Sequence, residues 1–248
     1  MIFFTGMHHP GVAARVPSAC VSVNALRRRK GAFAAPAEGW LLDSGAFTEI
    51  STHGRYRDTP ETYAVEAVKW ARLVPGLQAI VAQDFMCEPF ILARTGLDVP
   101  EHQRLTIERY DTLALALDLL GEATPIMPVL QGFDPSDYVA HLAAYGDRIT
   151  RGMWVGVGSV CKRQGHPDAI YQVLRAVKEA RPDLRLHGFG VKTTALKDPR
   201  VRELLHSADS MAWSFAARKQ GRDRNSPEEA LAFHRRVEAL INEGTQAA

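Results

Sequence analysis

The sequence predicts an α/β fold, a (β/α)8 TIM-like barrel in a single domain over residues 1–248. Three observations carry this. Short apolar runs of β-type residues alternate with amphipathic helical runs along the chain, an order that implies parallel strands. The apolar runs are brief and nearly continuous, as in strands buried on both faces, which favours a barrel over an open doubly wound sheet. Four helical runs open on Ser, Thr or Asp followed by Pro, the Ncap and N1 residues of a helix entered directly from a loop.

Seven strands are expected from the apolar runs: Ile2–Thr5, Trp40–Leu42, Gln78–Ala82, Ile126–Leu130, Met153–Val157, Leu184–Phe189 and Met211–Phe215. Cys20–Asn24 supplies an eighth, with irregular first units. Thr59-Pro60 starts a helix to about Val74. Pro100–Leu120 repeats Leu105, Tyr110, Leu113, Leu117 and Leu120 at helical spacing. Asp134-Pro135 starts a helix to about Tyr145, His166-Pro167 one to about Ala180, Asp198-Pro199 a short one near His206, and Ser226-Pro227 the last, to about Asn242.

Composition bounds the function. With 46% hydrophobic and 23% charged residues, the chain can bury a sizeable core. A formal net charge of +2 does not by itself announce nucleic acid. No apolar run is long enough to span a membrane, and the start lacks a basic leader. Cys20, Cys87 and Cys161 form no CxxC pair and no even disulfide framework, so a reducing cytoplasm is the expected location. A metal centre needs three converging ligands, which the spacing of His8, His9, His53 and His166 does not supply; no metal and no cofactor are expected.

Three aspartates stand where apolar runs end: Asp43 in Asp43-Ser-Gly-Ala-Phe47, Asp84 after Ala79-Ile-Val-Ala-Gln, and Asp209 in Asp209-Ser-Met-Ala-Trp-Ser-Phe215. Each alone reads equally as a cap or turn. In a parallel barrel, however, the residues after each strand share one rim, where active sites lie. Gln131-Gly132, Gly156-Val157-Gly158 and His187-Gly-Phe-Gly-Val-Lys192 end strands on the same rim. None is a dinucleotide or ATP fingerprint. A rim Gln donates and accepts at once, and a carboxylate accepts N–H groups, which suits a purine edge. Beyond Asp209, Arg218, Lys219, Arg222 and Arg224 fall within one stretch of seven positions. With Arg27, Arg28, Lys162, Arg163 and Lys192 they form a candidate stripe for a nucleic-acid backbone.

Taken in order, DSGAF, the strand ending at Asp84, VLQG, GVGS, HGFGVK and ADSMAWSF followed by KQGR resemble the tRNA-guanine transglycosylase superfamily, and more narrowly its deazapurine DNA modification, DpdA-like branch. The resemblance covers residues 40–224. It implies that Asp209 is the nucleophile that attacks C1′ and that Asp43 is the general acid/base. It implies further that Asp84, Gln131 and the Gly156-Val157-Gly158 backbone read the base edge, with Phe47 and Met211 flanking the base. No Cys follows Cys161, so the zinc element of the tRNA enzymes is absent, which favours DNA over tRNA. The expected reaction exchanges guanine in DNA, flipped out or single-stranded, for a free 7-deazaguanine. The alternatives are a hydrolytic DNA glycosylase leaving an abasic site, for instance in phage defence, a catalytically inactive nucleic-acid-binding barrel, and a metal-dependent barrel hydrolase.

Overall fold

The computed structural model describes residues 1–161 and 166–243. Nine parallel strand segments form one sheet: β1 (Ile2–Met7), β2 (Ala19–Ser22), β3 (Trp40–Asp43), β4 (Leu77–Val81), β5 (Ile126–Met127), β6 (Val129–Leu130), β7 (Trp154–Val157), β8 (Arg185–Gly188) and β9 (Ser207–Ser210). Their order is β5-β4-β3-β2-β1-β9-β8-β7-β6. The two end segments are separated only by Pro128, which lacks an N–H and interrupts the ladder. Ala82 N–H bonds to Met127 O (3.0 Å) on one side, and Gly156 N–H bonds to Pro128 O (2.8 Å) on the other. The Ile126–Leu130 stretch is therefore one bent stave that joins the two ends of the sheet, giving eight staves in a nearly closed barrel.

The Pro-led helices form where expected: Pro60–Leu73, Val99–Leu119, Pro135–Tyr145, Pro167–Ala180, Pro199–Leu204 and Pro227–Glu243. Thr59 Oγ1 accepts from Thr62 N–H, and Asp98 caps the next helix through Glu101 N–H. The first crossovers are irregular, with a 3-10 turn at Pro10–Arg15 and a single helical turn at Val23–Leu26. Pro227–Glu243 covers that gap: Phe233 meets Phe3 edge-on at 5.8 Å, and His234 Nδ1 lies 2.9 Å from Thr5 Oγ1.

One expected strand is corrected. Met211–Phe215 is not a strand; β9 is Ser207–Ser210, and Ala212–Lys219 is a helix. The helix buries Trp213 and Ala217, one turn apart, and exposes Phe215 and Arg218. The true stave is polar because its inward positions belong to the site. Helices at Ala46–His53 and Pro89–Thr95 were not foreseen.

Strand alternation sorts side chains into two cores. Leu42, Ile80, Leu130, Val155, Val157, Leu186 and Ala208 pack outward against helix residues such as Tyr63, Trp70 and Tyr138. Phe4, Cys20, Leu41, Ala79, Val81, Met127 and Val129 fill the barrel interior with Trp154 and Phe189. Asp43 follows Leu41 by two residues, and Asp209 follows Ser207 by two. Both carboxylates thus project into the barrel above its apolar filling.

Candidate active site

A cavity of about 700 Å³ opens at the C-terminal ends of the strands, as barrel active sites do. Asp43, Asp84 and Asp209 all line it, together with Gln131, Gly158, Phe47 and Met211.

Asp43 ends β3 directly before the helix Ala46–His53. Gly45 makes that abrupt start possible: its φ is +77°, and a Cβ there would sit 2.3 Å from Asn24 Nδ2. Gly45 N–H donates to Asp43 Oδ2 at 3.1 Å. Burial, then the neighbouring Asp209 charge, pushes the Asp43 carboxyl up to about 6, against the pull of its Ser22 and Gly45 hydrogen bonds.

Asp84 opens a buried loop that neighbouring side chains pin down. Tyr56 Oη donates to Asp84 O and accepts Asp84 N–H, both at 2.9 Å. Thr106 Oγ1 accepts Phe85 N–H, His102 Nδ1 meets Met86 O, and Ser159 Oγ accepts Cys87 N–H. Gln131 Nε2 donates to Asp84 Oδ2. Gln131 Oε1 lies 2.7 Å from Ser159 Oγ, which is also 2.9 Å from Glu88 Oε2. Burial pushes Asp84 up to about 7; the Asp43 and Glu88 charges add to this, and the Gln131 bond opposes it. The wall has more acceptors than donors: two carboxylates and an amide oxygen face one hydroxyl proton and one amide NH2.

Asp209 is held differently. Gly190 N–H donates to its Oδ1 at 2.9 Å, and His187 Nε2 lies 3.4 Å from the same oxygen.

The strand-end glycines have distinct uses. Gly158 lines the cavity, and a Cβ on it would fall 2.1 Å from Gln131 Nε2. Gly156 makes room for the Phe189 ring instead, at 2.3 Å, and is not part of the wall. Val157 points outward into the layer beneath the helices. Phe47 is exposed at the rim, edge-on to Phe90 at 6.5 Å, and Met211 packs over Gly6.

The basic stripe is brought together only in part. Arg218 and Lys219 are exposed and stack on Phe215, at 5.2 and 4.8 Å from its centroid. Arg218 and Arg224 are near His8 of the cavity wall; burial, then Arg224, holds His8 below its usual range. Arg27 is engaged with Asp58 and the buried Glu49, and Arg222 with Glu229. Arg28 is exposed, Lys192 is half-buried, and Lys162 and Arg163 lie outside the described residues.

His8, weighed in the sequence only as a metal ligand, lines the cavity; sequence reasoning missed Glu88, Ser159, Cys161 and Cys20, which also line it, and the role of His187 behind Asp209. For His187 a signal existed: it stands on β8 two residues before Phe189, which packs into the barrel interior just past the strand. Among the described residues no three His, Cys, Asp or Glu side chains are grouped to hold a metal.

The sequence model of a family described as DpdA, DeoxyPurine in DNA protein A, matches residues 1–237. The chain belongs to the DpdA family. DpdA proteins form the deazapurine DNA modification branch of the tRNA-guanine transglycosylase superfamily, which agrees with the nearly closed parallel barrel and supports a glycosyltransferase-type enzyme. No curated protein matches the chain. Among the described residues no helix is long and apolar enough to cross a membrane.

Proposed function

We propose that this DpdA-family protein exchanges a base in DNA, most directly guanine for a 7-deazaguanine, with Asp209 as the nucleophile. The observation that carries the reading is the convergence of three differently held carboxylates on one cavity large enough for a nucleobase. With Oδ1 anchored by Gly190, the other Asp209 oxygen attacks C1′. The C1′–N bond breaks, its electron pair passes to the base nitrogen, and a glycosyl ester forms. Asp43, with its carboxyl raised to about 6, donates the proton that the leaving base needs.

The coupling between the two carboxylates helps both half-reactions. Asp43 is a weak acid partly because Asp209 is charged. Ester formation removes that charge and strengthens the acid as the base departs. In the return step the N9–H of the incoming 7-deazaguanine gives its proton to Asp43, N9 attacks C1′, and Asp209 regains its charge.

The Asp84–Gln131–Ser159–Glu88 wall is rich in acceptors, which suits the N1–H and 2-amino donors of a guanine-type edge. A base still inside a duplex must be flipped to reach it. Arg218, Lys219 and Arg224 near the mouth supply cations for flanking phosphates.

The test is incubation with guanine-containing DNA, with and without free 7-deazaguanine, followed by nucleoside mass spectrometry. A new deazapurine nucleoside supports exchange. Free base with abasic sites means that water is the acceptor and overturns the exchange. Unchanged turnover in Asp209→Asn overturns the nucleophile.

A further inference from the structure

Behind Asp209 lies a hydrogen-bonded chain inside the barrel that the reaction as described does not use. Trp154 Nε1 donates to Ser207 Oγ at 2.8 Å. Ser207 Oγ lies 2.9 Å from His187 Nδ1, and His187 Nε2 lies 3.4 Å from Asp209 Oδ1. His187 and Ser207 are fully buried. Phe4, Trp154 and Phe189 surround the imidazole, with Phe189 edge-on at 4.6 Å. A polar chain enclosed by aromatic rings is costly unless its donors and acceptors match.

We infer that His187 is a positioning residue for Asp209, locked by Trp154 and Ser207 as the neutral tautomer that carries its proton on Nε2. This rests on the assignment of Asp209 as nucleophile. The direction of the chain follows from its far end. An indole N–H can only donate, so Ser207 Oγ accepts from Trp154. The hydroxyl keeps one proton to give, and His187 Nδ1 is the acceptor within its reach, so Nδ1 accepts it and the ring proton resides on Nε2, facing the carboxylate. The reverse tautomer would set a bare nitrogen lone pair against a carboxylate oxygen.

His187 Nε2 is buried and makes no other hydrogen bond among the described residues, so its proton is left for the carboxylate. Catalytic hydrogen bonds of this kind tighten toward the transition state. With Gly190 N–H on the same oxygen, the Nε2–H orients the carboxylate and leaves the second oxygen for C1′. The imidazole transfers no proton in this role; it sets the aim of the nucleophile.

Two measurements test the inference. The first uses ¹⁵N-detected histidine spectra of the substrate-free protein, with the His187 ring assigned by its loss in His187→Gln. The Nε2–H tautomer is expected in the wild type, shifting toward a mixture in Ser207→Ala. A dominant Nδ1–H ring in the wild type would overturn the lock. The second measures base exchange on a single-stranded guanine-containing oligodeoxynucleotide with 7-deazaguanine.

His187→Leu should lower kcat by about tenfold to a hundredfold, the size of one hydrogen bond to a charged group, with KM within about twofold. His187→Gln, whose amide nitrogen can stand near the position of Nε2, should recover most of that loss. Ser207→Ala, away from substrate, should lose a smaller factor in kcat alone. Equal activity of the folded Leu and Gln variants overturns the positioning role. If Asp209→Asn is inactive while His187→Leu is fully active, only this inference fails. If Asp209→Asn is active, the nucleophile assignment fails first.

Discussion

Replacing Asp43 by Asn should stabilise the protein while disabling it. The folded state raises the Asp43 carboxyl from its ordinary 3.8 to about 6, because burial and Asp209 both disfavour its charge. The sign follows from proton uptake. Between those two values the native state keeps a proton that the unfolded chain has lost, so stability falls as pH rises through the window. Above about 6 the deficit is complete, and below 3.8 it is absent. The span corresponds to an upper figure of about 3 kcal/mol. Solvent reaching the half-buried carboxylate through the cavity mouth trims it to roughly 1–3 kcal/mol.

Asn keeps an acceptor for Ser22 and for Gly45 N–H, and it carries no charge. Losing the Asp43 charge also relieves Asp84, in the same direction. Urea unfolding of wild type and Asp43→Asn at pH 8 and pH 4 measures the effect. The variant should be more stable by roughly 1–3 kcal/mol at pH 8 and by no more than about 0.6 kcal/mol at pH 4, with base exchange reduced by about a hundredfold or more at both. A variant equally stable or less stable at pH 8 would refute the reasoning, since Asp43 would then not be a strained ionised group.

Asp209→Asn should cut turnover by more than about a thousandfold while leaving DNA binding by fluorescence anisotropy nearly unchanged. Asp84 ionises near 7, so affinity for free 7-deazaguanine should rise by about tenfold from pH 6 to pH 8, and calorimetry on Asp84→Asn should show that dependence gone. Gly158→Ala would drive a methyl into the Gln131 amide, so it should cost about 1–3 kcal/mol in urea unfolding and weaken base binding, whereas the fold of the barrel persists by circular dichroism. Joint Arg218→Ala and Lys219→Ala substitution should reduce the salt dependence of DNA binding by a slope of about 2, if each cation meets one phosphate.

Much of the barrel was legible because its signals are local. Proline after a capping residue marked the helix starts, and apolar runs marked most staves. The exception, β9, shows the limit of that logic. Ser207-Ala-Asp-Ser is not apolar because its inward side chains serve the site, so an apolarity rule moved past it to the helix Ala212–Lys219. The wall around Asp84 was half visible: Asp84 and Gln131 follow apolar strands, but Glu88 and Ser159 matter only because two loops meet. Gly156 and Gly158 look alike in sequence, yet one accommodates a phenyl ring and the other the amide of Gln131. Arg27 and Arg222 read as free cations and are instead engaged by Glu49, Asp58 and Glu229.

By itself the amino-acid sequence determined the alternation of strands and helices, hence a parallel barrel with its strand-end residues on one rim, and through its ordered motifs the family. Only the tertiary structure decided how the three aspartates differ. Protonation and orientation depend on what surrounds a carboxyl within a few ångströms: burial and Asp209 for Asp43, Gln131 and Glu88 for Asp84, Gly190 and His187 for Asp209. Those neighbours come from staves far apart in the chain, and only closure of the barrel brings them into contact.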